Sequence, residues 1–160
     1  MSAALETSTT TRWLKTADAL GLSELMAAYA TETRLGPPRV PDRLYAERLL
    51  AEAGVEFLGA FAGERLVGYA AVLDLPVVPT GRRRGQVEDI YVDVRHRQGG
   101  HARALIDALS GEGEARGWTD LRWTVPYRSD SGEAFSKALG HPARERQFVI
   151  TFQEEVLRDN

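Results

Sequence analysis

The chain of 160 residues contains no cysteine, which removes disulfides, thiolate metal sites and a cysteine nucleophile before any motif is read. No apolar run approaches the length of a membrane span, so no membrane partner is expected. The sequence also lacks a strong charge bias. Its 20 Lys and Arg against 23 Asp and Glu leave a formal net charge of -3, with the basic residues dispersed. That balance disfavours a nucleic-acid-binding module, which must neutralise many phosphates, and tolerates a basic substrate better. Residues 1–11 are rich in Ser, Thr and Ala but lack a cationic start and an apolar centre, so they do not read as a secretory signal. Cytoplasmic residence is the default expectation. Residues 1–10 are expected to be a flexible tail and residues 11–160 one domain.

What is present is a series of α and β periods. A strand is expected over 11–15 and a helix over 18–33 with Leu20, Leu22, Leu25, Met26 and Tyr29 on its apolar stripe. Gly36, Pro37 and Pro38 break it. A second helix is expected over 41–53, with Leu44, Tyr45, Leu49 and Leu50 inward and Gly54 as its stop. Runs at 55–62 and 65–75, separated by Gly63-Glu64, predict an antiparallel hairpin. A connection over 76–85, a strand over 86–92, a helix over 100–116 and a strand over 121–125 follow. A helix over 131–139 and a last strand over 147–152 complete the order. The fold class is α+β, a mixed, mostly antiparallel central sheet flanked by helices, whose longest helix is a crossover between two strands.

Between that strand and that helix lies Arg97-Gln98-Gly99-Gly100-His101-Ala102-Arg103. Small residues let the backbone approach a ligand, and the first helix amides point outward without partners. A pyrophosphate would gain amide hydrogen bonds and the helix dipole there, with Arg97 or Arg103 adding charge-assisted contacts. The turn lacks both the lysine-serine end of a nucleoside-triphosphate loop and the dinucleotide glycine spacing.

The run V-E-D-I-Y-V-D-V-R-H-R-Q-G-G-H-A-R-A-L resembles the acetyl-CoA-binding core of the GNAT N-acetyltransferase superfamily, whose R/Q-x-x-G-x-G/A pattern falls on Arg97 to Ala102 without a gap. The resemblance implies acetyl-CoA as co-substrate, held by Val92, Asp93, Val94, Arg97, Gln98, Gly99, Gly100, His101, Ala102 and Arg103. Backbone groups of Val92 and Val94 are expected beside the pantetheine arm. Val94 stands where many members have proline.

Glu88 and Asp89 adjoin each other in an apolar strand, so their side chains are expected on opposite faces, with at least one buried. A buried carboxylate without a partner is costly, which points to water, a cation or a task as a base near neutral pH. The strand is similar to that of spermidine/spermine-type acetyltransferases, which implies Glu88 as the base that deprotonates the amine. Asp89 and Tyr91 are then the acceptor-side residues. The family often has a tyrosine acid on the helix after the fifth strand. Ser136 stands at that position, and Tyr127 is the other candidate acid. Ser129 stands where the family often has a cofactor-binding asparagine. The resemblance implies acetyl transfer to a primary amine of a small molecule by direct attack. A protein lysine or N-terminus, and a catalytically weak acyl-CoA-binding regulatory module, are the alternatives, and a homodimer is kept open.

Other features read as structural. His96, His101 and His141 have no metal-ligand spacing and are expected at the surface, with no metal bound. Arg82, Arg83 and Arg84 are expected as a solvated hairpin tip, and Trp13, Trp118 and Trp123 as sheet-packing residues. Ser110 and Ser131 have no His/Asp signature to support a serine hydrolase.

Overall fold

The alternation of apolar residues in the central strands serves two faces, and helices cover both. In the computed structural model, residues 8–33, 41–126 and 128–152 are described. The chain forms two compact units, Met1–Trp123 and Thr124–Asn160. The first contains β1 (Thr9–Trp13), α1 (Ala19–Glu32), α2 (Arg43–Ala51), β2 (Glu56–Ala62), β3 (Arg65–Val77), β4 (Arg82–Val92), α3 (His101–Arg116) and β5 (Trp118–Trp123). The strands form one five-stranded sheet in the order β1-β2-β3-β4-β5. All neighbours are antiparallel except β4 and β5, whose parallel pairing is made possible by the α3 crossover.

On one face Phe57, Tyr69, Ala71 and Tyr91 pack with Leu22, Leu25 and Met26 of α1 and Ala46 of α2. On the other, Leu58, Ala60, Ala70, Val72 and Val87 pack with Leu105 and Leu109 of α3. Each fully buried Leu or Val contributes about 1.5–3 kcal/mol relative to exposure. The Gly63-Glu64 turn forms as expected, Gly63 taking φ 60 and Ala62 pairing with Arg65. Asp42 caps α2 by accepting from the Tyr45 amide at 2.8 Å.

Several sequence expectations shift. Leu20 and Leu44 are 57% and 63% exposed, since α1 is buried through Leu22, Leu25 and Met26 and α2 through Ala46. β1 starts at Thr9, inside the expected tail. The 76–85 connection shrinks because β3 runs to Val77 and β4 begins at Arg82. The arginines there are only partly a solvated tip: Arg83 pairs with Asp74 at 2.6 Å and Arg84 with Asp120 at 3.0 Å.

β5 starts three residues before its expected position because Trp118 has a slot waiting for it. An added Cβ at Gly85 would overlap its ring, and one at Gly113 would come within 2.8 Å of it. Arg116 lies over the Trp13 and Trp118 rings, at 5.4 Å from each centroid. It also pairs with Glu56 at 2.6 Å and with Glu112 at 2.7 Å, so the last turn of α3 is tied to β2.

The second unit contains α4 (Asp130–Leu139). Ser129 is its N-cap, its hydroxyl accepting from the Gly132 amide at 3.3 Å, a use for this side chain that is local to the helix. The expected strand over 147–152 does not form. Phe148, Val149, Ile150 and Phe152 are all more than 75% exposed. Their β-branched and aromatic side chains favour an extended chain, but this unit holds no strand among its described residues for them to pair with.

The Trp118 slot yields a stability test. Gly85→Ala should lower unfolding stability by about 1–3 kcal/mol through overpacking. Urea denaturation should show a lower midpoint with an unchanged slope. A variant as stable as the parent would mean that the slot has room to spare.

Candidate active site

Strand β4 carries an extra residue at the point where its chemistry begins. Val87 pairs with Val72 and Asp89 with Ala71, so Glu88 is bulged out of the β3–β4 ladder. The bulge changes the parity of the strand. Val87 faces α3 with its partner Val72, whereas Asp89 and Tyr91 lie opposite Ala71 and Tyr69 on the face covered by α1 and α2. Glu88 and Asp89 were expected on opposite faces with at least one buried; with Glu88 bulged out of the ladder, Glu88 is exposed and Asp89 half-buried. Burial, and after it the charge of Glu88, hold the Asp89 carboxyl above its ordinary value. Asp89 in turn acts on two tyrosines. After burial, its charge is the next cause raising the Tyr29 and Tyr69 phenols.

The parallel partner stops at the same place. β5 pairs with β4 from Arg83 to Val87, where Trp123 is the last partner, so residues 88–92 of β4 have no β5 neighbour. An open strand edge offers backbone donors and acceptors to an extended ligand. At its end, the Asp93 amide donates to the Val67 carbonyl at 2.9 Å. The Asp93 carboxylate accepts from the Arg95 amide and guanidinium, which pull its pKa down to about 2. Val94 is 64% exposed.

The turn that follows is built from left-handed residues. Gln98 has φ 63 and Gly100 has φ 79, and Gly100 is the N-cap of α3. Nothing lies within 4 Å of where a Gly100 side chain would start, while one at Gly99 would come within 3.1 Å of the His101 ring. Turns of this kind gather backbone amides into an anion-binding concavity, which the free first-turn amides of α3 extend. The residues present thus fit a pyrophosphate. Arg103 is exposed beside the turn, 3.7 Å from Asp107.

Arg97 is held on the inner side of the turn. Its Nε donates to the Val92 carbonyl at 3.1 Å, and its Nη2 lies 2.7 Å from Glu32 Oε2, at the end of α1. The Tyr91 hydroxyl donates to the same oxygen at 3.1 Å. Glu32 was not singled out from the sequence, and no local pattern could have shown it.

His101 corrects the surface-histidine expectation. It is buried at the start of α3, with Nδ1 and the Thr9 hydroxyl of β1 sharing a hydrogen bond at 2.9 Å. Burial, then the half-buried His96 with its ring 6.2 Å away, push the His101 imidazole below its ordinary value. Among the described residues no group of three or more His, Asp or Glu side chains could hold a metal ion. Ser136 is half-buried on α4 in the second unit, and its carbonyl accepts from Gly140. Tyr127 lies outside the described residues.

The sheet is thus mixed, and its one parallel pairing ends a few residues before the glycine-rich turn that opens α3. The chain belongs to the acetyltransferase (GNAT) family, whose profile matches residues 22–140. A ribosomal-protein-alanine N-acetyltransferase from Brucella melitensis biovar Abortus 2308 is 38% identical, with a TM-score of 0.82 over 91% of this chain and 100% of the other. An aminoglycoside acetyltransferase from an uncultured soil metagenomic sample is 24% identical, with a TM-score of 0.74 over 91% and 99% of the two chains. A probable acetyltransferase at 15% identity has a TM-score of 0.81 over 91% and 99%. No curated protein matches the chain.

The raised Asp89 carboxyl carries a stability sign. An unfolded aspartate titrates near 3.9, roughly, whereas the native one keeps its proton to higher pH. Above that value the native state binds more protons than the unfolded state, so the group's contribution to stability falls as pH rises through the window. Asp89→Asn should therefore melt higher than the parent at pH about 7, with the advantage vanishing as pH falls to about 3–4. An asparagine variant that melts lower than the parent at neutral pH would show that the carboxylate is well satisfied in the native state.

Proposed function

We propose that the chain transfers the acetyl group of acetyl-CoA to a primary amine by direct attack in a ternary complex, with Asp89 receiving the amine proton. The half-buried carboxylate at the open edge of β4, a few residues before the anion turn, carries this reading. The likeness to spermidine/spermine-type strands points to Glu88 as the base. Burial, the property that suits a carboxylate to this task, favours Asp89. Glu88, exposed beside it, then faces a positive charge of the acceptor.

In the proposed reaction the neutral amine attacks the thioester carbonyl carbon. The carbon–nitrogen bond forms, the amine proton passes to the carboxylate, and the carbon–sulfur bond breaks to release the CoA thiolate. The pyrophosphate of CoA lies against the amides of the Gly99 to Arg103 turn. The backbone of Val92 to Val94 runs beside the pantetheine arm, and Tyr127, Ser136 or water protonates the thiolate.

Adjacent carboxylates on a chain of net charge -3 support a small cationic amine as acceptor, and the proposed use of acetyl-CoA accords with a cytoplasmic place of action. A second reading, the α-amine of a protein, is favoured by the 38% identity to a protein whose name gives ribosomal-protein alanine as its target.

Thiol release from acetyl-CoA, measured with a panel of small amines and with N-terminal peptides, separates the two readings. Release with neither, despite CoA binding, would support a regulatory binder. Calorimetry should detect CoA with the wild type and not with Gly100→Glu. Asp89→Asn should slow transfer about a hundredfold or more with CoA affinity retained. If Glu88→Gln is the slow variant and Asp89→Asn is fast, the base is Glu88. Tyr127→Phe or Ser136→Ala should lower turnover only if that hydroxyl supplies the thiolate's proton.

A further inference from the structure

A single oxygen at the end of α1 accepts hydrogen bonds from two elements of the site. Glu32 Oε2 receives the Tyr91 hydroxyl at 3.1 Å and Arg97 Nη2 at 2.7 Å. Arg97 reaches back through Nε to the Val92 carbonyl at 3.1 Å, with its guanidinium 5.5 Å from the centre of the Tyr91 ring. The last residue of α1, the end of β4 and the first residue of the Arg/Gly turn are thereby joined in one closed polar circuit.

We infer, on the reading that this site binds acetyl-CoA, that Glu32 is a positioning residue that aims Arg97 and so fixes the anion turn relative to the end of β4. An isolated pair with side chains 40% and 42% exposed would contribute little. This pair is not isolated. Tyr91 is 6% exposed, and its buried hydroxyl needs an acceptor, which pins the Glu32 carboxylate from the protein side. The guanidinium is in turn restrained by a carbonyl, a carboxylate and a ring face, leaving it little rotational freedom. A network of this kind couples its members, so each bond depends on the others being made.

The sign of the effect separates positioning from mere charge. As a bare negative charge near the turn, Glu32 would repel a pyrophosphate, and its neutralisation would tighten CoA binding. As the group that aims Arg97, it strengthens binding, and its neutralisation weakens it. Glu32→Gln keeps an acceptor for Tyr91 and removes only the charge.

The experiment measures CoA affinity by calorimetry for wild type, Glu32→Gln, Arg97→Gln and the double variant, with thermal melts to confirm that each is folded. Positioning predicts about tenfold weaker binding for Glu32→Gln, the size of a lost charge-assisted hydrogen bond, and no further loss when it is added to Arg97→Gln. Equal or tighter binding by Glu32→Gln, or losses that simply add, would overturn the inference. A readout without CoA comes from the Arg97 Nε–H resonance in nitrogen-15 spectra. It should be protected from exchange in the wild type and lose that protection in Glu32→Gln. Unchanged protection would also overturn the inference. If the wild type fails to bind CoA, the acetyl-transfer reading fails, while the Arg97 resonance still decides whether Glu32 holds the turn.

Discussion

The extra residue at Glu88 is the constraint from which the arrangement of the site follows, because it changes which face each later side chain of β4 meets. Val87 is the last residue in register with both Val72 and Trp123. Unbroken alternation beyond it would send Asp89 and Tyr91 toward Leu105 and Leu109, and Ile90 toward the tyrosines. Driving a carboxylate into that apolar layer would cost several kcal/mol. The bulge instead sets Ile90 against the α3 layer and Asp89 and Tyr91 against the α1 layer, where Tyr29 and Tyr69 surround them. The pairing with β5 ends at the same step, where Trp123 closes that strand. One backbone irregularity therefore places the carboxylate beside the edge that the end of β5 leaves unpaired.

A bulge fixes direction but not distance, and the distance to the anion turn is set by α3. That helix is bracketed by left-handed glycines, Gly100 at φ 79 and Gly117 at φ 74, which let the chain enter and leave abruptly. Its far end is locked by Trp118 in its slot and by Arg116 bound to Glu56 and Glu112. Its near end is tied to β1 through His101 and Thr9. With both ends anchored to the sheet, the first-turn amides keep a fixed position relative to β4, as a preorganised anion site requires.

What the sequence made legible was local, and what it hid was long-range. The Gly63-Glu64 hairpin, the turn from Arg97 to Ala102 and the α3 stripe of Leu105 and Leu109 each rest on residues within one or two turns of one another. Leu20 shares the hydrophobicity of the α1 stripe but not its angle, lying about 200° of helix before the buried Leu22. His101 was readable in principle, since it stands four and eight residues before Leu105 and Leu109 on the buried stripe. The bulge at Glu88 has no glycine or proline to announce it. The contact between Glu32 and Arg97 spans 65 positions and depends on the register of every strand between them. The run from Phe148 to Phe152 has a strand's composition, but composition cannot specify the partner a strand needs.

Under the proposed reaction, the two proton transfers make unequal demands, and a serine at the acid position, as the resemblance implies for Ser136, is compatible with them. A free thiol titrates near 8.5, roughly, so a departing thiolate is a modest base that water or a weak acid can satisfy close to neutral pH. An alkyl amine such as a lysine titrates near 10.4, roughly, and is almost wholly protonated before it binds. The base is thus the stricter requirement, and the chain supplies a carboxyl whose affinity for protons is raised by burial and by Glu88. The demand also depends on the acceptor. A protein α-amine titrates near 7.7–8.0, roughly, and reaches its neutral form with little help, whereas a polyamine-like acceptor needs both the base and a counter-charge for its remaining ammonium groups. The dependence of rate on the β4 carboxylates should therefore be steep for strongly basic acceptors and shallow for α-amines. The chemistry of the acceptor is thereby written into how much of the carboxylate pair the reaction uses.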